Sequence, residues 1–104
     1  MLAVGGEPGR AYEISAWEYY FAALPAFKAE RWDEAIALMH EGLEEKPGNP
    51  ALLYNLACAE SRAGRAEEAL AHLQQAVAGD AKYAERARDD SDFDPIRTLP
   101  GFPA

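Results

Sequence analysis

Residues 30–39 read ERWDEAIALM, and residues 64–73 read GRAEEALAHL. Each has Arg second, Glu fifth and Ala sixth and eighth, so one phrase is written twice, 34 residues apart. In the first copy Trp32, Ala35, Ile36, Met39, Gly42 and Leu43 recur at i, i+3, i+4, i+7, with Asp33, Glu34, Glu41, Glu44 and Glu45 between them. In the second, Ala66, Ala69, Leu70, Leu73, Ala76 and Val77 do the same. That period belongs to an amphipathic helix with one buried face.

The likeness extends beyond these ten residues. Residues 16–49 laid without gaps over 50–83 give identities at Tyr20/Tyr54, Ala23/Ala57, Ala29/Ala63, Arg31/Arg65, Glu34/Glu68, Ala35/Ala69 and Ala37/Ala71. Four of these seven fall between Arg31 and Ala37. The punctuation places a second helix in each copy. Ser15 followed by Glu18 has capping-box spacing and opens an apolar stretch in which Tyr20, Leu24 and Phe27 share one face and Tyr19, Ala22, Ala23 and Ala26 another. A helix so apolar is expected to be covered on both sides, with a kink or a break at Pro25. After the breakers Pro47 and Gly48, Asn49-Pro50 supplies an N-cap and a proline at the first helical position. The helix it starts turns Leu53, Leu56 and Ala57 inward and ends at Gly64. A charged helix over about residues 81–90 then offers Tyr83, Ala84 and Ala87 for burial, and Ser91 with Asp94 caps a last short turn.

A 34-residue helix–turn–helix period with small residues at the crossings resembles the tetratricopeptide repeat. The pattern runs through Tyr19, Ala22, Ala23, Ala26, Ala35, Met39 and Pro47, then Leu53, Leu56, Ala57, Glu60, Ala69, Leu73 and Ala81. It departs where Ala81 answers Pro47, where Glu60 replaces an aromatic and where Glu30 answers Gly64. The resemblance implies an all-α stack of antiparallel helix–turn–helix repeats, copies at 16–49 and 50–83, with a capping helix and tail over 84–104. Residues 1–14, holding three glycines and a proline, read as an extended segment before the helical domain at 15–104. A second resemblance, of LAVGGEPGRAYEISAWE to the connector that follows a cupin-type barrel, implies an accessory or regulatory domain of a larger protein.

Composition excludes several functions. Ten Lys and Arg against 18 Asp and Glu give a net charge of −8 without a basic cluster, which disfavours nucleic acid and anionic lipid. Cys58 is the only cysteine, so there is no intramolecular disulfide, and a reducing, cytoplasmic setting is expected. The longest apolar run, Tyr19 to Phe27, is too short to span a membrane and contains Pro25.

Catalytic and metal chemistry find little support in the pattern. His40 and His72 have no partner at metal-ligand spacing, and Cys58 has no histidine in phase. Asp90, Asp92 and Asp94 begin like a calcium loop, but Pro95 stands where Gly is needed and Gly101 where the bidentate Glu is needed. GGEPG lacks the spacing and the following Lys of a phosphate loop. Neither an enzyme nor a cofactor is expected.

In the resembled family the first helix of each pair lines a concave binding surface. By helical phase this implies partner-binding residues Trp17, Tyr20, Leu24 and Phe27 from the first helix and Tyr54, Asn55, Cys58, Ser61 and Arg62 from the third. Arg88, with Glu85 and Asp89, would follow from the cap. The expected partner is a protein or peptide. The same stripe reads equally as core covered by Tyr12 and Ile14, or as a face that packs on a second copy in a homodimer. Family members that grip a C-terminal carboxylate do so with Lys, Arg and Asn, of which only Asn55 is present; Tyr20, Leu24, Glu85 and Asp89 occupy the other places.

Overall fold

A computed structural model describes the backbone of residues 16–103 and the side chains from Glu18 to Pro103. The expected extended segment, the Ser15 cap, the covering role of Tyr12 and Ile14, the cupin-like connector and the Trp17 side chain lie outside the described residues. Within them there is no strand. Five α-helices run in order, α1 (Ala16–Lys28), α2 (Trp32–Glu45), α3 (Pro50–Arg62), α4 (Ala66–Gly79) and α5 (Lys82–Arg88), followed by a 3₁₀ turn (Ser91–Ile96). Loops of a few residues force neighbouring helices to run antiparallel, and α1 packs on α2, α2 on α3 and α3 on α4.

The repeated alanines sit at the close approaches. Ala23, Ala26 and Ala35 are fully buried in a core shared by α1, α2 and α3, and Ala57, Ala69 and Ala76 in one shared by α3, α4 and α5. Gly42 marks a close contact of α2 with α1 and α3, since a Cβ there would lie 3.0 Å from both Leu52 Cδ1 and Tyr19 Cγ. The Asn49 side chain accepts from the Leu52 N–H at 3.1 Å, with Pro50 opening α3 as the sequence implies.

Three expectations are corrected. Helix α1 does not break at Pro25. The lost hydrogen bond is a single one, the ring lies on the exposed side, and the Ala29 N–H reaches the Pro25 carbonyl at 3.0 Å. Nor is α1 covered all round, because Tyr19, Ala23 and Ala26 are buried while Ala22 is exposed and Phe21 is 53% exposed. Finally, the cap of the last turn is Asp90 rather than Ser91, its Oδ1 accepting from the Asp92 N–H at 3.0 Å.

That last turn is core. A 3₁₀ helix repeats every three residues, so Phe93 and Ile96 fall on one face, and both are completely buried against α3 and α4. Leu99 and Phe102 continue the spacing and pack on the same cluster. Arg97 ties the turn back to α5: Nη1 donates to the carbonyls of Ala87 and Arg88 at 3.1 and 2.7 Å, and Nη2 to that of Asp90 at 2.7 Å. It thereby satisfies carbonyls that the end of α5 leaves open. Helix α3 is consequently buried along most of its length, at Leu52 through Tyr54 and Leu56 through Ser61, with Asn55 half-exposed. The amphipathic reading of α3 had assigned only one inward face.

Candidate functional site

A groove of about 610 Å³ opens between α1, α3 and α5. One wall is aromatic and aliphatic, formed by the half-buried Tyr20, Leu24 and Phe27 at successive turns of α1. The rings hold one another, with Tyr20 and Phe27 6.4 Å apart and Phe27 edge-on to Trp32 at 5.8 Å. Tyr54, Asn55 and Cys58 of α3 form the floor, and Tyr83 and Arg86 of α5 the opposite wall. The Tyr54 and Tyr83 rings lie 4.8 Å apart, and the Arg86 guanidinium is 5.8 Å from each.

The C-terminal segment closes one end. Tyr54 donates its hydroxyl to Asp90 Oδ2 at 2.7 Å, and Cys58 Sγ lies 3.9 Å from the same oxygen. Ser61 Oγ donates to the Asp92 carbonyl at 2.6 Å, and Arg62 Nη1 reaches Asp92 Oδ1 at 3.0 Å while its guanidinium stacks 4.8 Å from the Trp32 ring. Burial, followed by the bond to Asp90, pushes the Tyr54 phenol well above its ordinary range. Burial, then Asp90 and Asp92, does the same to the Cys58 thiol. Both effects hold the proton on the Cys58 sulfur. The ligand atoms of Cys58, Asp90 and Asp92 all lie within 4.8 Å of one another. Asp90 and Asp92 are engaged by Tyr54, Cys58, Ser61 and Arg62, so the cluster is a clasp that ties α3 to the tail through hydrogen bonds.

Of the residues expected at the binding surface, Tyr20, Leu24, Phe27, Tyr54, Asn55 and Cys58 share this groove. Ser61 is 1% exposed and, like Arg62, is engaged by Asp92 beyond the groove's end. Arg88 is exposed and does not line it. The sequence reading missed Tyr83, Arg86, Asp90 and Asp92. Spaced at i, i+3 and i+7, Tyr83, Arg86 and Asp90 lie on one helical face, so choosing Glu85, Arg88 and Asp89 placed the phase of the cap one residue off.

Among the described residues, no helix is long and apolar enough to cross a membrane. No curated protein and no solved structure shows a significant match to this chain. The family model described as Tetratricopeptide repeat matches residues 26–89, more than half of the chain, from the end of α1 to just past the end of α5. The repeats of that family mediate protein–protein interaction. Paired antiparallel helices, alanines at the crossings and the matched span together establish that the chain belongs to the tetratricopeptide repeat family.

Proposed function

We propose that this chain is a non-catalytic protein-interaction module, which takes a peptide or a partner helix in the groove between α1, α3 and α5. The observation that carries the reading is the groove's composition: a row of half-buried apolar side chains on α1 faces two polar anchors, Asn55 and Arg86. Apolar positions at successive turns suit a partner's own apolar stripe, and Asn55 and Arg86 can bind its backbone carbonyls or a carboxylate. A reducing, cytoplasmic location suits the single buried thiol.

The test is affinity capture with quantitative mass spectrometry, comparing the parent chain with Leu24→Asp, Asn55→Ala and, as a control on the far face of α2, Glu44→Gln. Circular dichroism confirms equal helicity. Proteins lost with both groove variants and retained with the control support the reading; an identical capture profile for all four proteins refutes it.

A second reading is favoured by the exposed Phe21 beside exposed Ala22 on α1. These residues offer an apolar patch at the end of the stack, on which a second copy could pack in an isologous dimer. Light scattering at micromolar concentration distinguishes the two, and a strict monomer removes the self-association reading.

A further inference from the structure

The geometry points to a binding site for a divalent transition cation on the seam between α2 and α4, formed by His40 and His72 with Glu60 as the orienting carboxylate. Glu60 projects from α3 and is 1% exposed, among the most deeply buried side chains in the molecule. His72 on α4 closes over it, with Nδ1 2.6 Å from Glu60 Oε1. With the carboxylate ionised, as a bound cation would favour, Nδ1 donates to Oε1, and Nε2 on the opposite side of the ring is the nitrogen available to a cation. The His40 ring of α2 stands beside His72, edge to face at 78° with ring centres 6.3 Å apart.

A carboxylate that fixes the tautomer and direction of an imidazole is the support that metal-binding histidines commonly have. Two imidazoles that share one ion at a metal–nitrogen distance of about 2.0–2.1 Å have ring centres roughly 5–6 Å apart. His40 is exposed and can rotate through the small remaining distance. Glu68, one turn before His72 on α4, adds negative charge near Glu60. Imidazole donors favour zinc, copper, nickel or cobalt over calcium or magnesium. Neither histidine belongs to the repeat: the 34-residue register sets His40 against Gln74 and His72 against Leu38. Although 32 residues separate the two rings in sequence, the packing of both α2 and α4 against α3 brings them together.

Calorimetric titration of the metal-free chain with zinc chloride at neutral pH tests this. Saturable binding of one ion per chain at micromolar concentration is expected. Exposed His40 can be removed without disturbing the core, and His40→Ala should lower the affinity at least tenfold at unchanged helicity. Glu60→Gln keeps the volume but loses the charge that orients His72, and should lower it by about 10–100-fold. No saturable binding by the parent chain, or parental affinity in His40→Ala, overturns the site; parental affinity in Glu60→Gln overturns the part assigned to the carboxylate.

Discussion

Truncating Phe93 to alanine tests whether the C-terminal turn is part of the core or a detachable tail. Its ring is completely buried, edge-on to Tyr54 at 5.3 Å and 6.2 Å from Phe102. Removing a buried phenylalanine costs about 3–5 kcal/mol through lost transfer energy and the cavity left behind. A domain of this size has a total stability of about 5–15 kcal/mol, so Phe93→Ala should forfeit about a fifth of it or more. Urea unfolding followed by far-ultraviolet circular dichroism reads the loss as a lower midpoint. Labelling of Cys58 by a thiol reagent reads the second consequence. The thiol is 3% exposed beneath Asp90 and Asp92, so loosening the turn should turn slow labelling into fast. A loss below about 1 kcal/mol with Cys58 still protected would refute the reasoning, because the turn would then contribute little to the enclosure of α3.

Glu30 and Gly64 occupy the same place in the two hairpin turns, with φ of 60° and 84°. The left-handed conformation costs a side-chain-bearing residue about 1–3 kcal/mol, against about 0.5–1 kcal/mol of extra chain entropy for glycine. Glu30→Gly should therefore stabilise the protein by about 1 kcal/mol, and Gly64→Ala, whose new Cβ meets nothing within 4 Å, should destabilise it by about as much. Thermal melts showing the same sign for both would contradict this account of the turns. Alkaline pH is the other lever. Folding raises the pKa of the Cys58 thiol and the Tyr54 phenol, so both bind their protons more tightly in the folded chain than in the unfolded one. The stabilisation is complete below the unfolded values, about pH 8.5 for a thiol and 10 for a phenol, and is lost progressively above them. Urea midpoints should fall between pH 8 and 10.5, less steeply in Tyr54→Phe; an identical slope in that variant would remove Tyr54 from the explanation.

The repeat was legible because it is enforced locally and twice. Ala35 and Ala69 must be small where two helices cross, and both are fully buried as their spacing implied. The Asn49-Pro50 start needs only the chain's own backbone to satisfy it. What escaped the sequence reading was set by other elements. The apolar residues Phe93, Ile96, Leu99 and Phe102 recur every three residues, a period that a search for 3.6 or 2 passes over, although it marks a 3₁₀ turn and its continuation. Without that segment α3 shows a wider open face, on which Ser61 and Arg62 read as accessible although Asp92 engages both. The meeting of His72 with Glu60 and His40 has no sequence signal, because three helices create it at separations of 12 and 32 residues.

The placement of the tail also redraws the surface that a partner can reach. Two repeats alone would leave the whole inner face of α3 open to solvent, an unfavourable exposure for so apolar a helix. The chain instead spends its last residues covering the half of that face nearest α4, with Tyr54, Cys58, Ser61 and Arg62 all turned toward Asp90 and Asp92. The half toward α1 keeps its groove, where Tyr20, Leu24 and Phe27 stay half-exposed and the side chain of Asn55 is still accessible. The division falls between positions that the repeat makes equivalent: Leu24 faces the groove where Cys58 meets the clasp, and Phe27 does so where Ser61 is sealed beneath Asp92. The first copy therefore retains large apolar side chains at places where the second carries small polar ones fitted to the tail. That asymmetry is why the proposed recognition surface lies on α1.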